Sequence, residues 1–249
     1  MSNPSFISIE LVKSITVILD LEFYAPENAR KCYGQLSYNP WNKDCLLLGG
    51  CFLTLNGTNA IKSPLHIINQ QIEGLWLWQN RTERELVEKI LTTLQQAALS
   101  VRKVNKGRRS AVLCGIGITT SDVLVLFELF KRYKLLTNVE AFELMNSFRI
   151  VDLSQVAIPF VKPKTGTLYP AIKDDLMHRY LNGESFESGR EVWDMYERGH
   201  FDVIQRRCQE EVLATYRCYM GIHQEIRKVQ SLMKKAKRKP KTRQQRSEE

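Results

Sequence analysis

The stretch SITVILDLEFYA, residues 14 to 25, combines an apolar, strand-like run with two carboxylates, Asp20 and Glu22. Side chains on a β-strand alternate between its two faces, so Asp20 and Glu22 point to the same face and lie close together. The opposite face carries apolar side chains: Leu19, Leu21 and Phe23. The pattern therefore predicts a buried strand with two negative charges side by side on one face.

Two further strands and a helix are predicted in the first half of the chain. Residues 44–55 and 72–79 are apolar runs separated by turn residues, and with the first strand they suggest an antiparallel meander. Residues 82–103 predict a helix, because apolar residues recur on one face and Thr82 and Glu85 have the spacing of a capping box.

The second half of the chain alternates strand and helix and then becomes helical. Residues 110–118 predict a strand, 119–133 a helix and 148–156 a strand, which is the order typical of a mixed sheet. Helical spacing then covers residues 188–199 and 200–229. We expect an α/β fold with a mixed five-stranded sheet, a three-strand antiparallel meander and flanking helices.

The positive charge of the chain is concentrated at its C-terminal end. The net charge is +9, and residues 221–249 alone hold ten Lys and Arg against three Glu. We expect one folded domain over residues 1–231 and a basic disordered tail over residues 232–249. Such a tail can hold phosphate backbones electrostatically, and the alternatives are a solubility tail or a localisation signal.

The sequence shows neither a secretion signal nor an apolar run approaching the roughly 18 residues that span a bilayer. The six cysteines include no CxxC pair, so neither a zinc site nor a disulfide framework is indicated. We therefore expect a cytoplasmic protein with free thiols and no membrane partner.

The paired acids of the first strand favour a metal site. Two like charges this close are costly unless they are protonated or neutralised by a cation, and densely placed oxygen ligands suit Mg²⁺ or Mn²⁺. The alternative is an exposed polar strand face, where Asp-x-Glu occurs by chance. A two-metal site also needs carboxylates from other elements.

Two further acids are candidates for these additional ligands. Asp122 opens a predicted helix on the side of an α/β sheet where sites form, although an acid there also suits the helix dipole. On the long C-terminal helix, the spacing turns Glu211 rather than Glu210 towards the interior. The alternative for Glu211 is a solvated position, as for most charged residues on helices.

The order of these features resembles the DEDD 3'-5' exonucleases of the RNase H-like fold, in particular the predicted exonucleases related to the proofreading domain of family B DNA polymerases. VILDLEF matches their apolar strand bearing Asp-x-Glu, and CGIGITTSDVLVL loosely matches their Gly-rich strand end before a helix-start aspartate. ESGREVWDMYERGHFDVIQRRCQEEVLATYRCY follows their third motif, a helix reading Tyr-Cys-x-x-Asp-Val-x-x-Thr after a Ser-Gly-x-x-Val-Trp helix. The resemblance spans residues 14 to about 220.

The resemblance implies a metal-dependent 3'-5' exonuclease with a two-metal mechanism. The catalytic residues, which would also bind two Mg²⁺ or Mn²⁺ ions, are four acids: Asp20, Glu22, Asp122 and Glu211. The partner implied is nucleic acid, DNA or RNA, with single-stranded or frayed 3' ends.

Four positions depart from the family's pattern. Arg207 stands where a Tyr or His orients the attacking water, and Arg stays protonated and cannot act as a base, so we expect it to bind a substrate phosphate instead. Glu211 replaces an Asp and lengthens the ligand by one methylene. Gly117 and Ser121 replace a frequent Asn and a usual Phe. The alternatives are therefore a catalytically inactive RNase H-like module that binds nucleic acid or a protein partner, and an unrelated binding protein.

Three other residues have simpler interpretations. Trp76 and Trp78 alternate on a predicted strand, where base stacking is conceivable but packing is expected. Asp152 matches a place where related enzymes often have a structural acid, and we do not expect it to be a metal ligand.

Overall fold

The computed structural model of the chain describes residues 14–30, 38–57, 63–103, 110–161, 170–183 and 190–238. Its strands are β1 (Ser14–Tyr24), β2 (Leu46–Asn56), β3 (Ile72–Trp76), β4 (Ser110–Gly115) and β5 (Phe148–Asp152). They form one mixed sheet in the order β3-β2-β1-β4-β5. The strands β1, β2 and β3 pair antiparallel, and β4 and β5 continue the sheet in parallel pairing from β1. The predicted α/β class, the five-stranded mixed sheet and the antiparallel meander are confirmed.

Helices cover both faces of this sheet. They are α1 (Leu65–Gln70), α2 (Glu83–Lys103), α3 (Asp122–Arg132), α4 (Asn138–Asn146), α5 (Leu153–Val156), α6 (Lys173–Tyr180), α7 (Glu191–Glu197) and α8 (Phe201–Arg238). On one face, α2 and α3 share a hydrophobic core with Leu19 of β1. On the other face, α6 and α8 share a second core with Ile18 of β1. Within the described residues, no helix is both long enough and apolar enough to cross a membrane.

The central strand β1 alternates as its sequence predicts. Leu19, Leu21 and Phe23 lie in the core beneath α2 and α3. Asp20 and Glu22 point to the opposite face, where they contact side chains of α8. Near these acids β1 pairs with β2, whereas its pairing with β4 ends at Ile18. Glu22 is buried beneath α8 and Asp20 is partly buried.

The helix α2 starts where its capping signal places it. The N–H of Glu85 donates to Oγ1 of Thr82 at 3.2 Å, which satisfies one free donor of the first turn. The Glu85 carboxylate accepts from the N–H of Arg81 at 3.0 Å, one residue earlier than a standard capping box.

Three predicted strands are shorter in the structure. The predicted strand 72–79 ends at Trp76, because Leu77–Gln79 form a 3-10 turn that contains Trp78. The predicted strand 110–118 ends at Gly115, because the chain turns at Gly117, whose φ of 74° is left-handed. The predicted strand 148–156 ends at Asp152, because the Asp152 carboxylate accepts the N–H of Ser154 and begins α5.

The last helix is longer than its apolar spacing predicts. Periodicity indicates a helix over residues 200–229, whereas α8 runs for 38 residues to Arg238. Residues 232–238, which we assigned to the basic tail, therefore belong to this helix, and the remaining tail residues 239–249 lie outside the described residues.

Candidate functional site

The structure brings the four predicted acids together from three elements. Asp20 and Glu22 come from β1, Asp122 is the first residue of α3, and Glu211 lies on α8. The Asp122 Oδ1 accepts the backbone N–H of Leu21 at 3.2 Å, which fixes the start of α3 against β1 at the point between the two strand acids. Leu21 and Glu211 are separated by most of the chain, so the cluster exists only in the folded protein.

The neighbouring strand β2 approaches these acids with two glycines. Gly50 pairs with Leu21 and Gly49 with Glu22, and the register shifts immediately after Glu22. A Cβ atom on Gly50 would lie 2.3 Å from the Asp20 carbonyl oxygen and 2.7 Å from a methyl group of Leu21. Glycine at this position therefore permits the close approach of β2 to the acid-bearing segment of β1.

Arg207 of α8 bridges two of the four acids. Its Nη1 lies 2.5 Å from Oε1 of Glu22, and its Nη2 lies 2.7 Å from Oε1 of Glu211. Arg207 and Glu211 are four residues apart on the helix, so one helical face presents both partners of this ion pair. All three side chains are nearly fully buried, which strengthens the interaction relative to a surface pair.

Lys173 is a second cation in the cluster, and it was not among the residues predicted from the sequence. Its Nζ donates to Oε2 of Glu211. Lys173 is the first residue of α6, and a positive charge at a helix N-terminus opposes the helix dipole. That unfavourable placement, next to Asp174 and Asp175, is the one sequence signal that could have indicated a buried acidic partner.

Cys208 supplies a thiol beside the strand acids. Its Sγ lies 3.4 Å from the carbonyl oxygen of Asp20 and 3.8 Å from Oδ2 of Asp20. One ligand atom from each of Asp20, Glu22 and Cys208 lies within 4.8 Å of the others, so this group could hold a metal ion. Burial raises the pKa of the Cys208 thiol well above its usual range, and a protonated thiol is a poor ligand, so the carboxylates are the stronger donors.

The acids of the cluster have raised pKa values. Burial raises the pKa of Glu22 to about 7, with Arg207 opposing the shift, and burial raises the pKa of Asp122 to about 6. The pKa of Asp20 lies well above its usual range, because lost hydration and then the Glu211 carboxylate disfavour its charge. The site therefore holds more negative charge than its surroundings stabilise.

The two cations remain charged within this cluster. Burial acts to lower the pKa of Lys173, but Asp20 and Glu211 outweigh it and the pKa is raised. The pKa of Arg207 is also raised, because the attraction of Glu22 and Glu211 exceeds the effect of burial. Arg207 is consequently a permanent positive charge and not a proton acceptor.

The donor set fits a divalent cation. When the four acids are ionised, Lys173 and Arg207 balance two of their charges and leave two negative charges, which is the charge complement of one such ion. Asp20 also interacts with both cations, since its charge contributes to the raised pKa values of Lys173 and Arg207. Carboxylate oxygens of this kind are the preferred ligands of Mg²⁺ and Mn²⁺.

The residues that we expected to be structural lie outside this cluster or support it. Asp152 accepts N–H groups of Gly117 at 2.9 Å and Thr119 at 3.1 Å, so it fixes the loop that leads to α3. Trp76 is buried and stacks on Trp78 with 5.0 Å between the ring centroids, which is a packing role. Glu210 is exposed, as its helical position predicts.

No protein-family model matches this chain, and a search of curated proteins finds no match.

Proposed function

We propose that this chain is a metal-dependent 3'-5' exonuclease with an RNase H-like fold, which hydrolyses single-stranded or frayed 3' ends of nucleic acid. The observation that carries the proposal is the convergence of Asp20, Glu22, Asp122 and Glu211 from β1, α3 and α8 into one buried cluster. Four carboxylates in the interior of a fold carry a large electrostatic cost, and Lys173 and Arg207 balance only two of their charges, so a bound divalent cation would relieve the remainder.

The residues of the cluster have distinct roles in this proposal. The carboxylates hold the cation, Mg²⁺ or Mn²⁺, and Asp122 also ties α3 to β1 through the N–H of Leu21. Two such cations, when bound, would supply activation of a water molecule and stabilisation of the leaving 3' oxygen. Arg207 stays protonated, so it orients Glu22 and Glu211 and does not accept the proton of that water.

A second function, a catalytically inactive module that binds nucleic acid, is favoured by one observation. The Arg207 guanidinium forms ion pairs with Glu22 and Glu211, two of the four proposed ligands, and so balances part of their charge without a metal. In such a module the ion pairs would stabilise the fold, and binding would depend on the basic C-terminal residues.

A nuclease assay distinguishes the two functions. The protein is incubated with a 5'-labelled single-stranded oligonucleotide and Mn²⁺, beside the variants Asp20→Asn and Glu22→Gln. The matched control is Asp194→Asn, because the Asp194 side chain is 59% exposed and lies outside the cluster.

If the protein is an exonuclease, the wild type and Asp194→Asn should both give a ladder of shortened 5'-labelled products. The ladder should be lost in both cluster variants and in the presence of EDTA. Binding without cleavage by the wild type would support the inactive module, and cleavage that persists in both cluster variants would contradict the proposed site.

A further inference from the structure

We propose that a cavity at the edge of the sheet binds a small organic anion with an apolar body, of the size of a medium-chain carboxylate. The cavity lies between β5, α5 and α8 and has a volume of about 330 Å³. Its lining residues on α8 begin at Tyr219, which lies about 12 Å beyond Glu211 at 1.5 Å per residue. The cavity is therefore separate from the acid cluster, and the proposal does not depend on the exonuclease function.

The walls of the cavity are mostly apolar. Tyr219, Ile222 and Ile226 recur on α8 at helical spacing, so one face of the helix forms the first wall. The opposite wall comes from β5 and α5 through four aliphatic side chains: Ile150, Val151, Leu153 and Val156. In the part of the chain that the structure describes, β5 pairs only with β4, so the cavity lies at the sheet edge. Such a concave apolar lining is typical of small-molecule sites.

Burial gives the cavity an inner end and an outer end. Leu153 and Ile222 are buried, whereas Arg149, Ile150 and Arg227 are exposed. The inner end is therefore apolar, and two arginines lie where the cavity meets solvent. A ligand that enters from solvent would place its apolar part inside and its polar part against these arginines.

The charge of the lining selects for an anion. Arg149 of β5 and Arg227 of α8 both line the cavity, and no Asp or Glu is among the described residues that line it. Neither guanidinium forms an ion pair with another described residue. The acids close by on the same elements have other partners, since Asp152 holds the loop before α3 and Glu225 pairs with Arg179. A carboxylate at the opening would complement both arginines.

The volume sets the size of the ligand. At about 330 Å³, the cavity is about twice the size of an apolar cavity of about 150 Å³ that encloses a benzene molecule. A medium-chain carboxylate such as octanoate fits this space, with its chain along the aliphatic walls and its carboxylate at the arginines. His223 also lines the cavity, but it has an interaction within the chain, so the anionic group is assigned to the two arginines.

The site can be tested by calorimetry with octanoate, and with octanol as the neutral comparator. Arg227→Gln removes one charge at the opening, and Ile226→Trp fills the interior. The matched control is Lys228→Gln, because Lys228 is exposed on the same helix and does not line the cavity. Urea denaturation shows that each variant is folded.

We expect octanoate to bind the wild type and Lys228→Gln with a Kd below about 1 mM. Arg227→Gln should bind octanoate about fivefold more weakly, since one exposed ion pair contributes that much, and octanol should bind the wild type more weakly by at least this factor. A folded Ile226→Trp protein should not bind octanoate.

Four outcomes would overturn the proposal. The first is a wild type that does not bind octanoate at about 1 mM. The second is an equal Kd for octanoate and octanol, or for Arg227→Gln and Lys228→Gln, because the arginines would then have no role. The third is unchanged octanoate binding in folded Ile226→Trp protein, which would place the ligand elsewhere. The fourth is a wild type that is dimeric in light scattering and monomeric as Ile226→Trp, which would assign the cavity to a second copy of the chain.

Discussion

The Glu22 carboxylate is buried, pairs with Arg207 and lies near other carboxylates. It is 6% exposed and pairs with Arg207, yet its pKa is raised to about 7 because burial outweighs the guanidinium. The pKa of Asp122 shifts in the same direction, to about 6. The ionisation of the cluster is therefore coupled to the stability of the fold between mildly acidic and neutral pH.

The first prediction concerns this pH dependence. Below pH about 4.5, Glu22 is protonated in both folded and unfolded states and its burial costs little. Above pH about 7, Glu22 is ionised in both states. Burial of its charge then lowers the free energy of unfolding by on the order of 3 kcal/mol. We expect metal-free protein to lose stability from pH 5 to pH 8 in urea denaturation with EDTA.

Glu22→Gln should reduce this loss, and Asp194→Asn, the exposed control, should not. Equal stability of the metal-free wild type at the two pH values would contradict the raised pKa values of the cluster.

The second prediction concerns Arg207. Arg207→Gln removes the partner of Glu22 and one partner of Glu211, and breaking a buried pair in this way costs about 3–5 kcal/mol. We expect a loss of this size in the free energy of unfolding of metal-free protein at pH 8, and Mn²⁺ should recover part of it. Arg179→Gln, which breaks a more exposed pair, should cost about 1 kcal/mol or less. A similar cost for both variants would show that Arg207 does not stabilise the acids.

Which site residues the sequence could predict depends on how local their signals are. Asp20 and Glu22 share a face by strand alternation, and Glu211 faces inward by helical spacing, so both placements follow from neighbouring residues. Lys173 precedes two acids, and its partner Glu211 lies 38 positions away. Its role depends on how α6 docks against α8, which no local pattern specifies.

At the scale of elements, the sheet shapes the site as much as the acids do. The backbone of β2 passes so close to β1 that Gly50 has no space for a side chain, and Gly49 combines a φ of 129° with a Cβ position 2.0 Å from the Leu75 carbonyl oxygen. The two glycines thus allow β2 to fit between β1 and β3 where the register shifts. The position of Asp20 depends on this fit.

The third prediction tests the close approach of β2. Gly50→Ala places a methyl group 2.3 Å from the Asp20 carbonyl oxygen, and relief of such a clash costs about 1–3 kcal/mol or more. We expect the free energy of unfolding to fall by this amount in urea and Mn²⁺ affinity to fall with it. Thr54→Ala is the control, because Thr54 lies on the same strand and is exposed. Unchanged Mn²⁺ affinity in a destabilised Gly50→Ala protein would show that metal binding does not depend on the close approach of β2 to β1.

Element types were predictable, and element ends were less so. The strand β1 and the helix α2 have periodic apolar residues and begin and end within one residue of their predicted positions. The strand β5 ends four residues early, because Asp152 caps the next helix by accepting the N–H of Ser154, and bonds from Gly117 and Thr119 also hold its carboxylate. Contacts between distant segments, which one sequence does not display, set such boundaries.

At the scale of the whole molecule, acidic and basic charges are separated. The acids converge where β1, α3 and α8 meet, while α8 continues past them through a polar segment to Arg238. Residues 239–249 add four Lys and Arg against two Glu. Attraction of a polyanion by the basic end would offset its repulsion by the acidic cluster.

The fourth prediction concerns this basic end. Deletion of residues 239–249 removes four positive charges and leaves α8 complete to Arg238. We expect weaker binding of single-stranded nucleic acid, and the slope of log K against log salt should become shallower by about 0.7 for each phosphate that the shortened chain no longer neutralises. Binding is measured by fluorescence anisotropy between about 50 and 200 mM salt, a range over which contacts between a protein and phosphates weaken strongly. An unchanged slope would contradict a role of these residues in nucleic-acid binding.

The continuous helix α8 also sets a minimum length for a ligand that contacts both Glu211 and Arg238. Glu211 and Arg238 lie on the same helix, and at 1.5 Å per residue the distance between them is about 40 Å. A ligand that touches both ends must be at least as long, which corresponds to about 12 steps of a B-form strand at 3.4 Å each. Oligonucleotides shorter than this can therefore contact only one of these two helix positions at a time.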